Sequence, residues 1–228
     1  MSYGTFCPLS KSCELLCERW TFLILNEMHF GSSRFNDFQK TLSGISPTML
    51  SRRLGELEQA GIIVKRKIPG QKGYEYFLSK SGKESWPIIE QLGAWGMRWA
   101  RGQLEDTELD VELLTTYMTR SIEPEHIIGN EAVISIHFQD LDELSRWWIV
   151  VEGKTVDLCL HDPKKEINIW INSDLKTMVS LWMGDESFKK AIRENRLKLI
   201  GDRILVKTIE DWMGKHPLSH IRPEDILG

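Results

Sequence analysis

The chain has 228 residues, with 29 Lys/Arg against 33 Asp/Glu for a formal net charge of −4, and 41% of its residues are hydrophobic. That length is long for one domain and comfortable for two, each able to bury its own core. No apolar run approaches the ~20 residues needed to span a bilayer, and no signal-peptide-like apolar segment opens the sequence, so a cytoplasmic protein is expected.

The charge is unevenly spread. Residues 1–103 hold 14 Lys/Arg and 9 Asp/Glu, a net of +5, whereas residues 104–228 hold 15 and 24, a net of −9. A basic half followed by an acidic one suits a nucleic-acid-contacting module joined to something that does not touch nucleic acid. The four cysteines, Cys7, Cys13, Cys17 and Cys159, lack a C-x-x-C spacing. In a reducing compartment they predict no structural disulfide, and Cys13 and Cys17, one helical turn apart, predict helix packing rather than a metal site. Cys7 precedes Pro8 at the expected start of a helix, where a thiol pKa is lowered and the reactive thiolate favoured.

In chain order, residues 9–29 predict two helical segments, with Leu9, Cys13, Leu16 and Cys17 on one stripe and Trp20, Leu23, Ile24 and Met28 on the next. Residues 31–33, Gly-Ser-Ser, end that region. Residues 34–42 read as a short helix with Phe35, Phe38 and Leu42 inward, and residues 43–45 as a Gly-containing turn. A longer helix follows to Gly61. Ser46 suits its cap and Pro47 its first position, while Leu50, Leu54 and Leu57 form one seam. Thr48, Ser51, Arg52, Gly55 and Gln59 point the other way, small and polar enough to lie in a groove and bond base edges or phosphates. Helix, turn and second amphipathic helix make a helix-turn-helix. Residues 62–68 and 74–78 flank a Pro/Gly turn at 69–73 and predict a hairpin loaded with Lys65, Arg66, Lys67 and Lys72, which is a wing.

These pieces carry a resemblance. Cys7-Pro8, residues 18–21 (Glu-Arg-Trp-Thr), Arg34-Phe35, residues 44–47 (Gly-Ile-Ser-Pro), residues 50–54 (Leu-Ser-Arg-Arg-Leu) and Ala60-Gly61 look like the HxlR-type bacterial winged-helix regulators, over about residues 6–100. The resemblance implies a homodimer that binds an operator with two half-sites. Some relatives use the cysteine at the place of Cys7 as a redox or electrophile sensor. Thr48, Ser51 and Arg52 are then expected to face bases, with Met49 and Arg53 at the edges of that surface. Arg34 and Ser46 join the DNA-facing set, and Lys65, Lys67, Gln71 and Lys72 are expected at backbone or minor groove.

After the wing, residues 79–83 predict a turn and residues 84–100 a helix. Ile88, Leu92, Trp95 and Trp99 form one stripe with Trp86 and Ile89 beside it, more aromatic surface than a small winged helix can cover, so this face is expected at a dimer contact. Polar, acidic residues 101–110 mark the best domain boundary, giving a DNA-binding and dimerisation domain at 1–103 and a second domain at 111–228. There residues 111–121 read as a helix, and four runs at period two, 132–138, 146–151, 155–160 and 167–171, as an antiparallel meander. Helices at 174–183, 187–194 and 202–213 and a strand at 197–200 complete an α+β layer. His216 and His220 straddle Pro217 and read as a solvated tail.

No phosphate loop, zinc pair or nucleophile elbow is visible, so the chain is read as no enzyme and as needing no cofactor or metal. The Trp147-Trp148 strand, the Gly153 turn, the helix start at residues 172–174, the Gly184-Asp185 and Gly201-Asp202 junctions and Trp212 are similar to the sterol-carrier-protein fold, a non-catalytic binder of apolar ligands. That resemblance implies a cavity between sheet and helices lined by Trp148, Trp170, Met178, Trp182 and Met183; the same residues filling a dry core is the alternative. The expected function is thus a dimeric, DNA-binding transcription regulator with a C-terminal domain for a hydrophobic small molecule. The rival is a lipid carrier or enzyme-accessory protein whose N-terminal module serves protein interaction.

Overall fold

A computed structural model describes residues 3–101 and 105–224. The contacts divide the chain into two units, Met1–Trp95 and Gly96–Gly228. The division falls inside one continuous helix, and the boundary expected at 101–110 includes residues 102–104, which lie outside the described ones.

The first unit contains α1 (Pro8–Leu16), α2 (Thr21–His29), α3 (Phe35–Thr41), α4 (Pro47–Gln59), the hairpin of β1 (Ile63–Lys67) and β2 (Tyr74–Leu78), α5 (Lys80–Glu84) and most of α6 (Trp86–Trp99). α5 occupies the segment expected to be a plain turn. Ser79 caps it by accepting from the Gly82 N–H, and Gly82 is needed because a Cβ there would stand 2.3 Å from the Ile62 carbonyl oxygen. The core gathers Ile24, Leu25 and Met28 from α2, Phe38 and Leu42 around α3, the three leucines of α4, and Ile63 and Tyr76 of the hairpin. No residue of α1 is fully buried, and Leu16 packs against this core only in part.

The second unit contains α7 (Val111–Ser121), β3 (Glu131–Phe138), β4 (Arg146–Glu152), β5 (Thr155–Cys159), β6 (Ile169–Ser173), α8 (Leu175–Trp182), α9 (Phe188–Arg193), β7 (Leu197–Gly201), α10 (Arg203–Lys207) and α11 (Ile209–Trp212). The helix expected at 202–213 is therefore two short ones meeting at Thr208. Asp110, Asp174, Ser187 and Asp202 cap α7 to α10 as their residue types dictate.

The sheet corrects the meander. Its order is β5-β4-β3-β6-β7, and β3 pairs with β6 in parallel, so the sheet is mixed and not antiparallel throughout. Alternation at period two reports which face is buried and is blind to strand direction, so the crossover through residues 160–168 left no mark on the pattern. Asn168 knits the join. Its backbone N–H donates to the Val133 carbonyl (2.9 Å), its Oδ1 accepts from the Val133 N–H (2.8 Å), and its carbonyl accepts from the Asp202 N–H (2.8 Å). Gly201 faces that carbonyl with φ +139°, and a Cβ there would lie 2.2 Å from the oxygen.

Parity then separates the two faces. Ile134, Ile136 and Phe138 of β3, Trp147, Ile149 and Val151 of β4, and Ile169 and Ile171 of β6 enter one core with Met118, Leu175, Met178, Leu181, Phe188 and Trp212. Trp148 and Trp170 both pair with Ser135 and therefore share the other face. Trp170 is exposed and Trp148 half-buried, its indole N–H without an acceptor among the described residues. Met178 and Trp182 lie on the core side, in α8, with Met183 packed against that core. The five residues expected to line one cavity are thus split between two sides of the sheet. The tail differs as well: His216 sits edge-on against the Trp182 ring at 4.9 Å instead of in solvent.

Candidate nucleic-acid interface

α4 forms where the sequence places it. The Ser46 hydroxyl accepts from the Met49 N–H at 3.2 Å, Pro47 opens the first turn, and Leu50, Leu54 and Leu57 are buried along one seam. The opposite face is open: Thr48, Ser51, Arg52 and Gln59 are exposed, and nothing lies within 4 Å of where a Gly55 side chain would be. Met49 is half-buried against the core cluster, which puts it at the margin of that face.

The turn ahead of α4 is braced from two directions, and the start of α3 is capped as well. Trp20 is held at φ +81°, a region non-glycine residues enter rarely, and its indole lies over Gly44, where an added Cβ would sit 3.1 Å from the ring. The Gln39 amide donates to the Ile45 carbonyl at 3.0 Å. At the start of α3, the Asp37 carboxylate accepts from the Ser33 and Arg34 N–H groups. Neither Gln39 nor Asp37 stood out in the sequence, although Asp37 is the third residue of its helix, where a back-reaching carboxylate completes a cap.

Arg52 and Arg53 part company. Arg52 is open to solvent, its Nε donating to Glu56 Oε1 at 2.8 Å one turn on. Arg53 corrects the expectation that it edges the DNA face. Its side chain is only 7% exposed, and its three guanidinium nitrogens meet Glu18 (2.8 Å), Glu56 (2.5 Å) and the Arg19 carbonyl (2.9 Å). It fastens α4 to the junction of α1 and α2, and its burial there turns it away from a groove. Glu56 serves both arginines; the hydrogen bond from Arg52 first, then that from Arg53, holds its carboxyl below the usual range, and the same pair raises Arg52. The Glu56 spacing was legible as an i,i+3/i,i+4 pair; Glu18, 35 residues away, was not.

The wing is anchored to the helix-turn-helix. The Tyr76 N–H donates to the Ser33 carbonyl at 2.8 Å, and Arg34 bridges to Glu75 both through backbone and through an ion pair at 3.4 Å. Arg34 is therefore exposed but engaged. The Lys65 ammonium lies over the Tyr74 ring at 4.2 Å, part-way along the hairpin, whereas Lys67, Gln71 and Lys72 are exposed at its tip. Arg66 lies over Phe77 on the opposite face. Away from this surface, Cys7 is the N-terminal flanking residue of α1. Backbone N–H groups of Ser10 and Leu9, then the Ser10 hydroxyl, lower its thiol pKa, and the thiol is half-buried. The Ile88, Leu92, Trp95 and Trp99 stripe of α6 is exposed along its length.

The family model for the HxlR-like helix-turn-helix matches residues 15–104, which spans every element of this surface. The HTH-type transcriptional regulator YvaP of Bacillus subtilis (strain 168) is 34% identical over 101 residues, covering 43% of this chain and 94% of the relative. The chain belongs to the HxlR-like family. YodB, another HTH-type transcriptional regulator of the same organism, is 33% identical over 94 residues, which are 40% of this chain and 84% of YodB. Its reduced form has been solved; at 29% identity it covers 44% of this chain and all of that one, with a TM-score of 0.38. As an HxlR-like protein this chain is a DNA-binding transcriptional regulator whose residues beyond 104 lie outside the family match. Among the described residues no helix is long and apolar enough to cross a membrane.

Proposed function

We propose that the chain acts as a homodimer in which α4 enters the major groove of each operator half-site and the hairpin tip rests on the adjacent backbone. The observation that carries this reading is the two-sided α4: a buried leucine seam behind, and Thr48, Ser51 and Arg52 open in front, on a helix fastened by Arg53. Thr48, Ser51 and Arg52 supply base-edge donors and acceptors; Arg34, Ser46, Lys67, Gln71 and Lys72 supply phosphate contacts, and Lys65 supports the hairpin through its tyrosines. Engaging DNA requires Arg52 to exchange Glu56 for a base or phosphate, a small cost because the pair is solvent-exposed and screened.

Dimerisation through α6 and α1 is supported by the exposed Ile88–Leu92–Trp95–Trp99 stripe and by an α1 with no fully buried residue, whose Leu9 and Leu15 are exposed. For the second unit, the sequence resemblance to the sterol-carrier-protein fold is the ground for reading its role as non-catalytic. An apolar ligand in that unit would not touch all five expected residues, since they divide between two sides of the sheet. Cys7, whose thiol pKa is lowered by the first-turn N–H groups of α1, is the thiol through which oxidants or electrophiles would act on such a regulator.

The test is a pair of alanine variants measured on operator and on random DNA. Arg52→Ala is expected to cost about 1–3 kcal/mol on the operator and to relax preference at one base pair. Lys72→Ala is expected to weaken both DNAs alike. Equal losses on both for Arg52→Ala would remove α4 as the reading helix.

A further inference from the structure

The second unit is acidic overall, yet one stretch of it is basic. Residues 187–207 contain seven Lys/Arg against two Asp/Glu, a net of +5 within a half whose net is −9. The fold gathers that stretch at one edge. β7 is an outer strand of the sheet, and both α9 and α10 pack against it. α9 turns Phe188 and Ala191 inward and α10 turns Leu205 inward, which leaves Lys189, Arg203 and Lys207 exposed; Lys198 is exposed on β7 itself.

Ion pairing divides these cations. Lys190 and Arg196 are paired with Glu186, and Arg193 and Arg196 with Glu194. The remaining acid, Asp202, is spent as the cap of α10. Among the described residues Lys189, Lys198, Arg203 and Lys207 have no ion pair, so four of the seven cations stand outside one, with the Asp202 carboxylate next to Arg203 in the chain. A lysine on an outer strand guards against strand-to-strand association. That accounts for Lys198; the other three stand on flanking helices and guard no edge.

We propose that this β7 edge is a further phosphate-contacting surface, through which the regulator holds the backbone of duplex DNA without reading its sequence. The inference rests on the DNA-binding reading above. Free cations displace the counterions condensed on DNA, and that release is sequence-independent and falls with salt. A chain already held on DNA by α4 meets neighbouring phosphates at high effective concentration, so weak contacts suffice.

The test uses the full chain and random-sequence duplex over a salt series. Lys189→Gln, Lys198→Gln, Arg203→Gln and Lys207→Gln combined are expected to make the slope of log K against log[salt] shallower, by up to about 3.6 at 0.9 per phosphate. Exchanging each of the four for the other basic residue (Lys→Arg, Arg→Lys) should keep the wild-type slope, which separates charge from a folding defect. A neutralised variant with the wild-type slope overturns the proposal, and it does so equally if that variant loses affinity for poly-glutamate, which would assign the edge to an acidic protein. A Lys67→Gln/Lys72→Gln variant is the reference: if it loses slope while the β7 variant does not, only this inference falls. If the wild type itself has no salt-dependent DNA affinity, the DNA-binding reading falls first.

Discussion

Two tryptophan-bearing amphipathic helices, α6 and α8, put the same chemistry to opposite uses. α8 spends its apolar face inside: Leu175, Met178, Leu181 and Trp182 are all buried, and Trp182 is enclosed by Tyr117 stacked at 5.6 Å, His216 edge-on at 4.9 Å and the Ser121 hydroxyl accepting from its indole N–H at 3.2 Å. α6 has apolar residues on two faces. Ile89, Ala94 and Met97 are buried, while Trp95, on the other side, is 55% exposed within its stripe. Periodicity marks both helices as amphipathic, but only the count of apolar faces says whether one packing partner is enough.

The sharpest break in that comparison is expected from paired tryptophan deletions. Trp182→Ala removes a side chain that is 8% exposed and should cost about 3–5 kcal/mol. Trp95→Ala should leave the melting temperature at low protein concentration nearly unchanged. Comparable destabilisation by both, measured where the chain is monomeric, would mean that the outer stripe of α6 is used within its own chain.

Next in size is an acid effect confined to the neighbourhood of α8. Burial, and then the charge of Arg101, push the His216 pKa down to about 4. An unfolded histidine takes a proton near 6.5, whereas the native one stays neutral until about pH 4, so the unfolded state gains protons first as pH falls. Stability should therefore decline by about 3 kcal/mol between pH 6.5 and 4 and level off below. His216→Gln should flatten that limb in denaturant unfolding. A wild-type slope retained in the variant would put the titrating group elsewhere.

The smallest effect belongs to the outer stripe itself. If α6 is an interface, Trp99→Ala should weaken self-association by about 1–2 kcal/mol, the usual scale for an aromatic interface residue, with no change in unfolding. Sedimentation across a concentration series checks it, and an unshifted monomer–dimer equilibrium moves the interface to another surface.

Much of the first unit was legible because its signals are local. Ser46, Pro47 and the leucine seam define α4 from within 13 residues, and the wing follows from a Pro/Gly turn between β-rich runs. What escaped depends on distant partners. Arg53 sits beside Arg52 in sequence, and only Glu18 and the Arg19 carbonyl, 34–35 residues upstream, draw it inward. In the second unit the strands were legible and their directions were not, since the β3–β6 pairing is made by a crossover. Trp147 and Trp148 are equally apolar neighbours, and parity alone sends the first into the core and the second to the far face.

The adjacency of Arg52 and Arg53 has an evolutionary consequence. One residue reads and its neighbour mounts, and they share a single carboxylate, Glu56. Replacing Arg52 does not strand Glu56, because Arg53 still holds it. Replacing Arg53 would remove the side chain that ties α4 to Glu18 and to the Arg19 carbonyl. A lineage can therefore alter which operator it prefers by drifting at position 52, through substitutions that are nearly silent for folding, while position 53 is pinned. Paralogues of such a regulator would diverge in target choice one exposed side chain at a time, with the helix that carries those changes keeping its aim.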